Sequence, residues 1–274
     1  MTAAVAQRSV VVLAHAHDRG AVAVSRAIAD RHGDSAVHVV QASELGRAPR
    51  WSHAIDARGS VTGDVALQSG TVLAADGIGC VFNRLVGIVP PAFARAPARE
   101  RDYAAAEMHA LLVSWLAGLG RPVINPVAGL FGNPSRRQWL TRAVAAGIPV
   151  MRDVVATSAR LVPSELSDHI AVRGPWPETK LVSRQPVEAS PAPGRAIVAV
   201  LVAGHRAHGD VSRAIGHRCV DLARQTGRSL LQLDFAVGPR GVRLAHVDPM
   251  PPLVHEHAVA VVADLLEHSS VRPR

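Results

Sequence analysis

Hydrophobic and polar positions alternate most clearly near the end of the chain. Leu231, Leu233 and Phe235 interleave with Gln232 and Asp234, the period of two expected of a strand with one buried face. Val242, Leu244 and Val247 carry a second strand back, and Gly238, Pro239 and Gly241 supply the turn between them. A hairpin of this kind brings Asp234 near His246 and Asp248, and the Pro-rich exit from Pro249 to Pro252 restricts the backbone just beyond. Helix 211–225 is expected to pack on the hairpin's sheet, because Ile215, Cys219, Leu222 and Ala223 fall on one helical face.

Earlier in the chain the pattern alternates between strand and helix. Ser9 to Ala14 reads as a buried strand, Val22 to Arg31 as an amphipathic helix, and Val37 to Gln41 as a second strand. Residues Arg47 to Gly70 read as polar and irregular, apart from short apolar runs such as Val65 to Leu67. A strand over Gly79 to Phe82 ends in Asn83 and Arg84. Ala106, Leu111, Leu112, Trp115 and Leu119 then keep helical spacing until Gly118 and Gly120 stop it. The short strand PVIN follows, then a helix opened by Pro134 and Ser135 and closed by Gly147, and a strand in VVATS. Ala196 to Ala203 forms another strand, and a last helix runs from His255 to Glu267. This alternation predicts an α/β protein with a parallel sheet, in which ligands gather at the carboxyl ends of strands. His15, His17 and Arg84 occupy such ends. No G-x-G-x-x-G or P-loop follows the first strand.

Composition narrows the partners. The net charge of +8 would suit nucleic acid, but the arginines are scattered, Arg136 and Arg137 being the longest adjacent run, and one tyrosine and four phenylalanines offer little for stacking bases. Diffuse basicity fits an anionic small molecule or peptide substrate. No apolar run approaches the roughly 18 residues of a membrane span, and Arg8 leads straight into a strand without a cleavage site, so no membrane association and a cytoplasmic location are expected. Cys80 and Cys219 are far apart, without metal-site spacing, and read as buried thiols.

The hairpin pattern, an Asp on one strand, a short Gly turn and a returning strand that ends in His246-Val-Asp248-Pro, resembles the closing motif of ATP-grasp ligases, whose returning strand ends in acid–x–Asn–Pro. The likeness is to the glutathione synthetase and ribosomal-protein glutamate ligase branch. In that family an Asp, a Glu and an Asn hold the magnesium ions of ATP. Asp234 matches the Asp, while His246 stands where the Glu would be and Asp248 where the Asn would be, so two of three are changed. The middle section is similar too: a helix containing Glu107, a short strand ending in Asn125, a helix opening with a basic residue, Gly-Ile-Pro and a strand reaching Thr157. The family's phosphate-contacting Lys in that helix is replaced by Arg136 or Arg137. The likeness covers roughly Asn83 to Thr157 and Ala196 to Leu253.

The resemblance implies a Rossmann-like pre-ATP-grasp domain over residues 1–120 and a reduced ATP-grasp-like domain over 121–274. It implies ATP and Mg²⁺ as cofactors and amide bond formation through an acyl phosphate, with Arg84 and Arg136 or Arg137 gripping anions, and Asp234, His246 and Asp248 at the metal. Lys180, the chain's only lysine, matches the second nucleotide-binding Lys, but no Gly-rich loop follows it, which implies reduced or lost use of ATP. Two alternatives stay open. One is a non-catalytic ATP-grasp-like binding or assembly partner in a biosynthetic pathway, with a protein partner or a homo-oligomer. The other is a metal-dependent enzyme built on Asp234, His246 and Asp248, since imidazole suits zinc or iron better than magnesium.

Overall fold

The computed structural model describes residues 8–58, 61–88, 90–126, 134–151, 155–156, 171–173, 187–190, 196–239 and 241–271. The chain divides into two compact units. The first comprises Met1–Asn133, Gly227–Leu230 and Met250–Arg274, and the second comprises Pro134–Thr226 and Leu231–Pro249. The sequence reading put its boundary near Gly120 and assigned the last helix to the second domain. In the structure residues 121–133 and the last helix group with the first unit.

The first unit follows the expected β-α start. Strand β1 (Ser9–Ala14) leads through helix α1 (Arg19–His32) to β2 (Val37–Gln41) and a single helical turn, α2 (Ala42–Leu45). Every residue of β1 is buried, as the unbroken apolar run requires of a strand covered on both faces. Next come three strands, β3 (Arg50–Ile55), β4 (Val61–Ala66) and β5 (Val72–Ala74), paired in order as an antiparallel meander. This corrects the reading of Arg47 to Gly70 as irregular. The meander is only half-buried, and its polar residues hide the alternation of Trp51, His53 and Ile55. Strand β6 (Ile78–Asn83), helix α3 (Ala98–Gly118) and β7 (Val123–Ile124) complete a parallel sheet of order β2-β1-β6-β7.

Gly118 is the last residue of α3, so the helix stops where the glycines put its end. A Cβ at that position would overlap Val61 of β4, so the glycine admits close helix–sheet approach, and Gly120, with φ of 60°, turns the chain. The C-terminal helix Glu256–Val271 buries Val262, Ala263 and Leu266. It also pairs with α1 through Arg31, whose guanidinium donates to Asp264 at 2.7 Å and to Glu267 at 3.1 Å. Both contacts are solvent-exposed and add little to stability.

The second unit begins with helix α4 (Arg136–Ala145). Short strands β8 (Val155–Ala156), β9 (Ala171–Arg173) and β10 (Val187–Ser190) form an antiparallel sheet of order β8-β10-β9. Strands β11 (Ile197–Ala203) and β12 (Arg206–His208), helix α5 (Arg213–Gln225), and the hairpin β13 (Leu230–Gly238) and β14 (Gly241–Asp248) follow. The larger sheet has the order β12-β11-β13-β14. Cys219, Leu222 and Ala223 of α5 and Trp139, Leu140 and Ala143 of α4 share one core with Val200, Val202, Leu231, Leu233, Phe235, Leu244 and Val247. The amphipathic face of helix 211–225 therefore packs as its periodicity required. Among the described residues no helix is long and apolar enough to cross a membrane.

Candidate functional site

The hairpin carries the candidate site, and a single irregularity decides which residues reach it. From Gln232 to Asp234 the ladder is regular, with Gln232 opposite Asp248, Leu233 opposite Val247 and Asp234 opposite His246. The next pair is Phe235 with Leu244, so Ala245 is an extra residue on β14. In an unbroken strand Leu244, His246 and Asp248 would all share one face. The bulge breaks that parity: Leu244 and Val247 both enter the core, while His246 and Asp248 turn to the face that carries Asp234. The spacing of Leu244 and Val247, three residues apart in a strand with one buried side, is the trace this bulge leaves in the sequence.

Residues directly opposite one another on paired strands point to the same side, with Cβ atoms about 4.5–5.5 Å apart, and diagonal neighbours are about 7–8 Å apart. Asp234 and His246 are therefore a cross-strand pair, and Asp234 and Asp248 a diagonal one. Gln232 Nε2 donates to Asp234 Oδ1 at 2.9 Å and holds that carboxylate in one orientation. Gln232, Asp234 and Asp248 are half-buried and His246 is exposed.

The same face carries basic residues that the sequence analysis did not single out. Arg243 lies opposite Ala236, one residue pair beyond the bulge. Val200 and Val202 of β11 point into the core, so Leu201 and Ala203 point to the opposite side. Their partners across the ladder are His208 and Arg206. Arg206 on β12 and Arg243 on β14, both exposed, thus share the sheet face of the Asp234–Asp248 pair. Finding them from sequence needed the strand order, which local periodicity does not contain.

The other predicted site residues lie elsewhere. Arg84 belongs to the first unit, where the sheet order reverses between β1 and β6. The crevice outside the carboxyl ends at such a switch point is the usual ligand position of an open α/β sheet. Here Arg84 is almost wholly buried and engaged within the protein. Its Nε donates to Asp18 Oδ2 at 2.8 Å, its Nη2 to Asp18 Oδ1 at 3.3 Å and its Nη1 to the Pro251 carbonyl at 2.7 Å. Its guanidinium carbon lies 5.7 Å from the Phe82 ring centroid. Asp18 also caps α1 by accepting from the Ala21 N–H at 2.9 Å. The Pro251–Leu253 segment lies close against Gly20, where an added Cβ would come within 2.7 Å of the Pro252 carbonyl oxygen. Arg84 is thus a buried tie among β6, α1 and the 251–253 segment, the acid-paired alternative for an arginine at a strand end. His15 and His17 sit in the exposed turn after β1.

Arg136 and Arg137 open α4 in the second unit. Ser135 caps that helix in a capping box with Gln138, whose Oε1 accepts from the Ser135 N–H at 2.8 Å. Cations in the first turn oppose the helix macrodipole, an arrangement an anion would relieve. Lys180 lies outside the described residues.

The donor set at the hairpin fits Mg²⁺ in part. Asp234 and Asp248 offer the hard oxygens this ion takes, commonly one or two carboxylates with phosphates and water completing the octahedron. His246 offers nitrogen instead. Among the described residues no three His, Cys, Asp or Glu side chains are gathered into a ligand set of their own, so a cation here would complete its shell from substrate and solvent.

No protein-family model and no curated protein matches the chain. Solved structures do. The ATP-grasp ligase PsnB, complexed with a minimal precursor, Mg and ADP, matches with a TM-score of 0.71 at 13% identity, over 96% of this chain and 98% of that one. The chain has the ATP-grasp fold. The macrocyclase MdnC from Microcystis aeruginosa MRC, bound with the precursor peptide MdnA, gives a TM-score of 0.73 at 12% identity, over 95% of this chain and 100% of the other. A RiPP-associated ATP-grasp ligase from Chryseobacterium gregarium, in complex with ADP and a leader and core peptide, gives 0.69 at 13% identity, over 97% and 98%. The ATP-grasp fold expected from the hairpin and the middle section is therefore the fold observed, with parallel and antiparallel sheets in one α/β chain.

Proposed function

We propose that this chain is an ATP-dependent carboxylate–amine ligase that forms amide bonds on a peptide. One observation carries the reading: the bulge at Ala245 turns His246 and Asp248 to the face of Asp234, on a sheet face that also bears Arg206 and Arg243. The solved neighbours support it, because PsnB holds ADP, Mg and a precursor, and MdnC holds a precursor peptide. When bound, ATP with its divalent ion supplies the phosphoryl group that makes a carboxylate oxygen a leaving group.

In this reading Asp234 and Asp248 hold the cation, and Gln232 keeps the Asp234 carboxylate oriented toward it. Arg206 and Arg243 on the same sheet face offset the charge of nucleotide and acidic substrate, a task for which a guanidinium suits phosphate and carboxylate alike. Arg136 and Arg137 stand in for the missing phosphate-binding lysine at the start of α4. A chain with one lysine among thirty basic residues builds its anion contacts from arginine, which keeps its charge but gives up the compact ammonium that lysine brings to a phosphate. Weak nucleotide affinity is the expected result.

A second reading, a fold retained for binding alone, is favoured by that same scarcity of lysine and by His246 in place of a carboxylate. Mass spectrometry separates the two. Incubation with ATP, a divalent salt and a panel of peptides bearing both acidic side chains and lysine should yield peptides lighter by one water per amide bond formed, together with ADP. Asp234→Asn should abolish both products. Peptide binding without water loss or ADP, from folded protein, would contradict the ligase reading and favour the binding one.

A further inference from the structure

The first unit holds a cavity that the ligase reading does not use. Its volume is about 390 Å³, and its walls include Val113 and Ala117 of α3, Arg121, Ile124 of β7, Ser229, and Ser269 of the C-terminal helix. All of these residues belong to the first unit. We propose that this cavity binds a small monocarboxylate with an apolar body, gripped at its carboxylate by Arg121. The inference goes beyond the ligase reading and needs neither nucleotide nor cation.

Strand order creates the space. In the sheet β2-β1-β6-β7 the two residues of β7 form an edge. The segment 227–230 is tied beside that edge by the Asn125 amide and by Arg228, whose Nη1 donates to the Pro126 carbonyl at 2.8 Å. Arg121 enters β7 from its amino end. Ligands of open α/β sheets gather at the carboxyl ends, where Arg84 follows β6, so the cavity is distinct from that crevice.

The lining is chemically divided. Leu112, Trp115 and Leu119 of α3 enter the core of the unit, whereas Val113 and Ala117, one helical turn apart, lie outside it and line the cavity. Apolar side chains left in a concave wall favour an apolar ligand. Arg121 is the one cationic side chain in the described lining. Its Nε donates to the Ala75 carbonyl at 3.0 Å, which steadies the guanidinium and leaves its terminal nitrogens for a further acceptor. Among the described residues no carboxylate pairs with Arg121 or lines the cavity. A guanidinium beside apolar walls and without an acid suits a carboxylate, which accepts in the plane of its N–H groups. One cation balances a single negative charge, and with no acid in the described lining an ammonium group finds no partner. A monocarboxylate therefore fits better than a phosphate ester or a free amino acid. The volume, near the lower end of small-molecule sites, keeps the apolar body short.

Hexanoate is the probe, followed through the amide chemical shifts of the isotope-labelled full-length protein. Saturable shifts should centre on Val113, Ala117, Ile124 and Ser229, with a dissociation constant of about 1 mM. Hexanamide keeps the apolar body and loses the charge, and acetate keeps the charge and loses the body; each should bind about tenfold or more weakly. Arg121→Gln should lose hexanoate binding. Ala117→Leu, which fills the apolar end and leaves the guanidinium in place, should lose it as well. Native-like dispersion of the remaining amide signals shows that a variant is folded, and Ala117→Leu decides alone where Arg121→Gln does not fold. Hexanoate binding that survives either substitution in folded protein would overturn the inference. Equal binding of hexanamide or acetate, or no saturable shift at these amides at tens of millimolar hexanoate, would overturn it too. Each of these outcomes leaves the ligase reading as it stands.

Discussion

Arg84 illustrates how far a single side chain can be read from its neighbours in sequence. A lone arginine at the end of a buried strand is a reasonable anion ligand, and its position at the switch point of the sheet strengthens that expectation. Its partner, however, is Asp18, 66 positions away in the chain, and no local pattern announces such a contact. With side chains only 7% and 15% exposed, this pair belongs to the class in which removing one member leaves an uncompensated charge. Arg84→Met should cost about 3 kcal/mol or more in chemical denaturation. The double variant Arg84→Met with Asp18→Asn should lose less than the sum of the two single losses, because the second change removes the stranded carboxylate and keeps a side chain able to cap α1. Additive losses would contradict the pairing. The two cysteines behave as the sequence suggested. Burial pushes the Cys80 and Cys219 thiols up to about 12, and the Cys80 thiol lies 3.3 Å from the Leu266 carbonyl oxygen, to which it donates.

At the scale of elements, the strands and helices with the strongest periodicity were legible: β1, β2, β6, the hairpin and helix 211–225 all form where the pattern puts them. The meander β3–β5 was not, because a half-buried sheet with Ser, His, Thr, Gly and Asp along its strands lacks the apolar contrast that marks a strand. The candidate site was legible in part. Asp234, His246 and Asp248 followed from the hairpin pattern, whereas Arg206 and Arg243 depend on strand order and on the bulge. One further element joint was recognised only as the end of a short strand. The Asn125 amide replaces a strand neighbour for residues 229–230: its Oδ1 accepts from the Ser229 N–H at 3.1 Å and the Leu230 N–H at 3.0 Å, and its Nδ2 donates to the Leu230 carbonyl at 2.6 Å. Leu230 and Asn125 are buried, so Asn125→Ala leaves backbone groups without partners and should destabilise by about 2–3 kcal/mol. Hydrogen exchange should show the loss of protection concentrated at Ser229 and Leu230. Unchanged protection there would contradict this role for the amide.

For the whole molecule, the ATP-grasp fold is reached from two directions: the order of motifs along the chain, and the match of nearly the full chain to solved ligases at 12–13% identity. So low an identity carries the fold and leaves the chemistry to the residues present. Those residues keep Asp234, place His246 and Asp248 where the resembled motif has Glu and Asn, and include one lysine among thirty basic residues. The central claim is that this altered site still holds a nucleotide through a divalent ion. Isothermal titration with a non-hydrolysable ATP analogue, with and without divalent ion, on the native protein and on Asp234→Asn and Asp248→Asn, tests it most directly. The account predicts binding that requires the ion and is lost or weakened about tenfold or more in each variant. Binding of equal strength without the ion, or in both variants, or no binding up to millimolar analogue from folded protein, would contradict it.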